Sequence, residues 1–278
     1  MSSVLDLINQ TNFKFSKKYG QNFLTDKNFL ASIVNLAEIT KDDEVLEIGT
    51  GAGTLTKEIS RQAKKVVSYE IDTTLEPIIY ENLKDIDNIK VIFKDIMQSS
   101  MQEIESNFSS KYKIVANLPY YITTPIIFKF LEETDNVESL TIMVQKEVAD
   151  RIVCRQGSKD YGILSVMMDF YGDAKIVKKV SRTMFKPAPN VDSAVVRLDI
   201  KCKYDINKKL FSQVVRTSFA NRRKTLVNNL FMKYGQDKER FEEILNQLHI
   251  SPNTRAEQLS TEQFFALTNK LIELGIIK

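Results

Sequence analysis

Glu44-Val45-Leu46-Glu47-Ile48-Gly49-Thr50-Gly51-Ala52-Gly53 decides the fold. Glu44–Gly49 reads as a strand with a mostly apolar run. A glycine-rich turn follows, then a helical pattern from about Leu55 to Gln62. Strand, glycine turn and helix form the opening of a nucleotide-binding α/β unit, because glycines let the backbone approach a ligand at the strand's carboxyl end. The spacing is G-x-G-x-G, not the dinucleotide pattern G-x-G-x-x-G, so this turn alone also fits a plain tight turn.

The strands that follow each end in a residue useful to a nucleoside. Val66–Tyr69 ends in Glu70, which lies 21 residues after Gly49. That is the spacing of a carboxylate that accepts two hydrogen bonds from a ribose diol and repels a 2′-phosphate. Lys90–Phe93 leads to Asp95, an acceptor for an adenine amino group. Tyr112–Ala116 delivers Asn117-Leu118-Pro119-Tyr120. Here Asn117 offers an amide with donor and acceptor, Leu118 a carbonyl, Pro119 a stiff turn and Tyr120 an aromatic face. The set suits the exocyclic amine of a purine; it also suits a strand that merely ends in a proline turn. Gly49, Glu70, Asp95 and Asn117 are thus expected on one rim, the carboxyl edge of an open sheet, where ligands bind.

Working outward, Asp26 is a plausible N-cap for a helix with Phe29, Ile33, Leu36 and Ala37 on one face. Lys14–Asp26 is basic and aromatic, and reads equally as a loop over the sheet edge or a lid. Pro125 opens a helix to about Glu133. Leu140–Val144, Ile176–Val180 and Ala194–Ile200 read as further strands. In Phe185-Lys186-Pro187-Ala188-Pro189 the prolines keep the chain extended, and Phe185 either stacks opposite Tyr120 or sits in the core. After Lys201 only helical spacing is left, and Ser260 or Thr261 caps the last helix. The expected division is an α/β domain over 1–203 and an all-helical C-terminal domain over 204–278. No internal repeat or low-complexity segment interrupts either.

Composition removes several function classes. The chain has 278 residues, 43% hydrophobic and 27% charged, as in ordinary soluble domains. No apolar run approaches the ~20 residues of a membrane span, and no secretory or transit signal is evident, so a cytoplasmic location is expected. His249 is the only histidine and two cysteines are isolated. A zinc or histidine-based site is therefore not expected, and His249 reads as a boundary residue. Residues 201–278 hold 14 Lys+Arg against 8 Asp+Glu, while residues 1–200 hold 25 against 28. A basic C-terminal part fits a nucleic-acid partner, or a helical domain with scattered lysines. Lys17 and Lys18, and the cluster Arg222-Arg223-Lys224, are the densest candidates.

Taken together the motifs resemble the ribosomal RNA adenine dimethyltransferases, in particular the bacterial small-subunit branch. The segments are YGQNFL (19–24), EIGTGAG (47–53), YEID (69–72), NLPYYITTP (117–125), QKEVADRI (145–152), GSKDYGILSV (157–166), FKPAPNVDSAVVRL (185–198), FANRRKTL (219–226) and RAEQLS (255–260). The resemblance implies a Rossmann-like class I methyltransferase sheet and S-adenosylmethionine (S-adenosyl-L-methionine) as cofactor. It implies transfer of four methyl groups to two adjacent adenosines of the 3′-terminal 16S rRNA hairpin, within the 30S particle, by a monomer needing no metal. Carried over, Asn22, Leu24, Gly49, Gly51, Glu70, Asp95 and Asn117 would line the cofactor site. Asn117, Leu118, Pro119 and Tyr120 would hold the target adenine, with Phe185 stacking. Lys17, Lys18, Lys146, Arg222, Arg223 and Lys224 would meet RNA. Thr50, Ala52 and Tyr121 depart from the usual Pro, Leu and Asn or Gln. The rival readings are the related 23S enzyme of macrolide resistance, a non-catalytic RNA-binding assembly factor and, least favoured, a DNA adenine methyltransferase.

Overall fold

The computed structural model describes residues 22–24, 26–201 and 203–278. The strands are β1 (Phe23–Leu24), β2 (Glu44–Ile48), β3 (Lys65–Glu70), β4 (Ile89–Phe93), β5 (Tyr112–Asn117), β6 (Val137–Gln145), β7 (Gly172–Val180), β8 (Phe185–Lys186) and β9 (Ser193–Ile200). Seven form one sheet in the order β4-β3-β2-β5-β6-β9-β7, and β1 pairs with β8. From β4 to β6 all pairs are parallel, whereas β9 runs antiparallel to β6.

The strand order explains where a ligand belongs. The chain builds β2, β3 and β4 outward to one side, then returns to lay β5 on the other side of β2. The order reverses between β2 and β5, and ligands of open α/β sheets bind at such a switch point, beyond the strand carboxyl ends. Gly49 follows β2 and Asn117 ends β5, so the two stand side by side there.

Local rules account for the flanking helices α1 (Lys27–Leu36), α2 (Thr54–Ser60), α3 (Glu76–Leu83), α4 (Met101–Glu105) and α5 (Thr123–Glu132). Asp26 caps α1 as expected, its carboxylate accepting the Phe29 N–H at 3.0 Å. The helix then buries Phe29, Leu30, Ile33 and Val34 against a cluster holding Val45, Ile59, Val66, Val115 and Val195. β2 is buried at all five positions, as a strand covered on both faces must be.

The remaining helices are α6 (Lys146–Ile152), α7 (Ile163–Tyr171), α8 (Lys208–Ser218), α9 (Leu226–Tyr234), α10 (Lys238–Gln247) and α11 (Thr261–Glu273). The chain forms two compact units: residues 1–149 with 175–200, and residues 150–174 with 201–278. One division between the units falls after Ile200. Residues 150–174, expected in the first domain, instead cluster with the helical unit. The physical reason is aromatic: Phe170 of α7 stacks on Phe211 of α8 at 4.0 Å and on Tyr204 at 5.6 Å. Ser260 caps α11 through a capping box with Gln263. His249 is exposed, with φ of 56°, just past α10.

Candidate active site

A cleft open to solvent lies on the sheet's carboxyl edge. Gly49, Gly51, Glu70, Asp95, Asn117, Leu118, Pro119 and Tyr120 all line it, and so does Asn22.

The side toward β2 and β3 is built from backbone groups and buried acids. The turn after β2 carries positive φ at Gly49 (83°), Gly51 (56°) and Gly53 (76°). At Gly51 a Cβ would also press on the Phe23 ring at 3.2 Å, so both conformation and space call for glycine. Gly51 donates its N–H to Glu70 Oε2 at 2.8 Å, and Asp72 donates its N–H to Glu70 Oε1 at 2.8 Å. Each carboxylate oxygen keeps further acceptor capacity, so Glu70 fits a ribose diol while holding the turn. Glu70 is only 6% exposed. Burial raises its pKa above the ordinary carboxylate value, with the Asp72 charge adding to the rise and the backbone N–H bonds opposing it. Asp95 spends one oxygen on the Met97 N–H at 2.9 Å and has a second for a ligand amine.

Beneath this turn lies a polar network. Glu47, fully buried, accepts hydroxyl hydrogens from Thr56 and Ser68 on one oxygen, each at 2.6 Å. Ser68 also shares a 2.6 Å hydrogen bond with Thr50 of the glycine turn. The other Glu47 oxygen has no partner among the described residues. Burial pushes the Glu47 pKa up to about 8, the two hydroxyl bonds oppose it, and the Glu70 charge adds to it.

The side at β5 is a short turn. Asn117 donates from its amide to the Asn22 carbonyl at a long 3.3 Å. The Pro119 carbonyl is committed, accepting from Ile122 N–H and Thr123 Oγ1, both at 3.1 Å. The Leu118 carbonyl receives no hydrogen bond among the described residues. Tyr120 is half-buried, and its hydroxyl shares a 2.8 Å hydrogen bond with Ser193. Tyr121, 59% exposed, stands at the mouth.

Not every expected residue reaches the cleft. Phe185 is 3% exposed and packs in the core with Phe29, Val115 and Val195; β8 pairs it with Leu24. Its ring is spent on the core, which corrects the expected stacking opposite Tyr120. Leu24 is buried in that same core and does not line the cleft, although its carbonyl accepts from Thr54 at 3.0 Å. Lys17 and Lys18 lie outside the described residues. Lys146 is exposed at the end of β6. Arg222 donates through Nη2 to the Lys159 and Tyr161 carbonyls, at 3.2 and 2.9 Å, and so pins the loop between them. Arg223 and Lys224 are exposed.

The cleft also contains residues that sequence reasoning passed over, among them Phe23, Ile71, Lys94 and Ile96. Ile71 and Ile96 each directly follow a rim acid. Position next to Glu70 and Asp95 was the signal that could have found them.

A mostly parallel sheet with a glycine turn at its switch point and a buried carboxylate at the end of the next strand is the architecture of the Rossmann-like methyltransferase class. Within that class the chain belongs to the ribosomal RNA adenine dimethylase family, which it matches over residues 12–273. It is 46% identical over 269 residues to the ribosomal RNA small subunit methyltransferase A of Clostridioides difficile, covering 95% of this chain and 93% of that protein. The like-named protein of Bacillus cytotoxicus is 45% identical over 279 residues, covering 96% and 94%. Among solved structures, a dimethyladenosine transferase from Plasmodium falciparum superposes with a TM-score of 0.77 at 26% identity, over 91% of this chain and 98% of that one. The 23S rRNA methyltransferase ErmE gives 0.67 at 31% identity, over 90% and 100%.

Proposed function

We propose that this chain dimethylates N6 of two adjacent adenosines in the 3′-terminal hairpin of 16S rRNA, using S-adenosylmethionine, during assembly of the small subunit. The observation that carries this reading is the joining of the Glu70 side and the Asn117 turn in one cleft. A nucleoside held at the first would stand beside a purine amine held at the second. The small-subunit substrate is preferred to 23S rRNA because relatives named for the small subunit are 46% identical, against 31% for ErmE.

In this reading Glu70 takes the cofactor ribose and Asp95 its adenine amine, with Gly49 and Gly51 admitting the backbone close to it. The cofactor, when bound, supplies a methyl group activated by its sulfonium charge. Asn117 accepts one N6–H with its amide oxygen and Leu118 accepts the other with its backbone carbonyl. Two such acceptors turn the N6 lone pair out of conjugation and aim it. Tyr120 stacks under the base and favours the positive charge that develops at nitrogen. Positioning and preformed dipoles therefore carry the rate. The acids lining the cleft are engaged elsewhere, so the amine proton leaves to solvent. The target base must leave its stack to reach this edge.

The helical unit is the proposed RNA-binding domain, and the protein acts as a cytoplasmic monomer on the particle. No helix of the described residues is long and apolar enough to cross a membrane. Neutralising Arg223 and Lys224 is expected to weaken particle binding and to reduce its salt slope by about one for each phosphate that then goes unneutralised. An unchanged slope would remove them from the interface. Arg222→Ala should differ by exposing the 159–161 backbone to hydrogen exchange, because its guanidinium holds those carbonyls.

The deciding experiment is incubation with labelled S-adenosylmethionine and 30S particles from an unmethylated strain, with the product mapped. Dimethyladenosine at two adjacent hairpin positions is the expected result. Label on 23S rRNA alone would replace the substrate. No transfer and no cofactor binding would leave the assembly-factor reading.

A further inference from the structure

Tyr120 is the one ring of the Asn117–Tyr120 turn, and the turn by itself does not fix that ring. It lies outside the sheet ladder and is half-buried. What holds its far end is the 2.8 Å hydrogen bond to Ser193. Burial raises the Tyr120 pKa, so the phenol keeps its hydrogen through the neutral range.

Ser193 is seated as firmly as the sheet allows. It is 1% exposed and opens β9, opposite Gln145 of β6. The preceding residue is tied twice: the Asp192 carbonyl accepts the Lys146 N–H at 2.9 Å, and its carboxylate accepts the Arg182 N–H at 2.9 Å. A hydroxyl on this frame is a fixed point. An aromatic side chain has two soft torsions, and a bond at its outermost atom restrains both at once.

We propose that Ser193 is a positioning residue for methyl transfer: it sets the plane of the Tyr120 ring, and hence the plane in which the target base presents its amine to the cofactor. The proposal rests on the methyltransferase reading above. Ser193 touches neither base nor cofactor, and works only through Tyr120. Small angular errors in a reacting pair cost rate more than binding, so its effect belongs in kcat.

The test is a double-mutant cycle on the full-length protein with 30S particles. Ser193→Ala and Tyr120→Phe are each expected to lower kcat about fivefold, the scale of one neutral hydrogen bond. Cofactor Kd should stay at the wild-type value, and the melting temperature should fall by no more than the few degrees that one hydrogen bond is worth, so that the protein is fully folded at the assay temperature and the loss of kcat is not a folding defect. The double variant should lose no more than either single variant, because both remove the same bond. Wild-type turnover in Ser193→Ala, or losses that multiply in the double variant, would overturn the proposal while leaving the methyltransferase reading intact. A wild-type protein that methylates no ribosomal RNA would overturn that reading, and the role of Ser193 with it.

Discussion

The two sides of the cleft are made differently. At the β2–β3 side the ligand-facing groups are locked before any ligand arrives: Glu70 is bonded through both oxygens to backbone N–H groups of separate segments. At the β5 side the functional groups hang from a four-residue turn, and among the described residues the Asn117 amide makes a single, long 3.3 Å contact. The first side suits a ligand that is the same at every turnover. The second suits one that must enter as a flipped base, be methylated, and be accepted again as a monomethyl amine. Stiffness and latitude are thus divided between a preorganised carboxylate and a short turn.

If that division is right, substitutions on the two sides should fail in different parameters. The largest effect is expected at Asn117→Ala. Losing the amide that aims N6 should lower kcat about 10²–10³-fold, as loss of one preorganised catalytic dipole does elsewhere, with particle binding nearly intact. Single-turnover methylation measures it. Comparable weakening of 30S binding would make Asn117 a docking residue instead. A smaller and different effect is expected at Glu70→Gln. The amide would turn an N–H toward a backbone N–H, and one charge-assisted acceptor would be lost, so cofactor Kd should rise about 10- to 100-fold. Burial raises the Glu70 pKa, so wild-type affinity should also fall as pH drops, and should begin to fall above the ordinary carboxylate range, whereas the Gln variant should show no such fall. Calorimetry across pH checks both; a wild-type Kd flat down to about pH 5, near the ordinary carboxylate range, would mean that the carboxylate does not hold the ligand.

The same division decides what could be read from the sequence. Strand ends, glycine turns and the 21-residue step to Glu70 are local or topological signals, and all of them surfaced at the cleft. Phe185 carried no local mark of burial: the two extended prolines after it fit a rim loop as well as a core edge, and only the β1–β8 pairing resolves it. Residues 150–174 read as a continuation of the α/β run. Their allegiance comes from Phe170 stacking on residues more than thirty positions away. Arg222 likewise looks like its neighbours in sequence, and only the loop carbonyls beside it show that it is partly structural. The bond between Tyr120 and Ser193 spans 73 residues, a distance at which no spacing rule operates.

The smallest effect lies beneath the cleft and sharpens the contrast most. Under the turn at β5 are Ala116, Val115 and Ile114, all buried and apolar. Under the glycine turn is Glu47, with Thr56, Ser68 and Thr50. With its pKa at about 8 in the fold and 4.5 as the ordinary value, Glu47 keeps a proton in the native state that the unfolded chain releases. Between those values folding takes up a proton, so stability falls as pH rises. Its contribution is complete below pH 4.5 and is lost as pH passes through about 8. Glu47→Gln copies the protonated acid and has no proton to lose. The variant should therefore gain on the wild type between about pH 6 and pH 8, by at most about 1.4 kcal/mol per pH unit, with the gain visible in denaturant midpoints. The cofactor Kd should move little, since Gln can still accept from Ser68 and Thr56 and keep Thr50 in place. Parallel pH profiles for the two proteins would mean that Glu47 is ionised in the fold, and that the β2 side is stiffened by a buried charge instead of a neutral hydrogen-bonded acid.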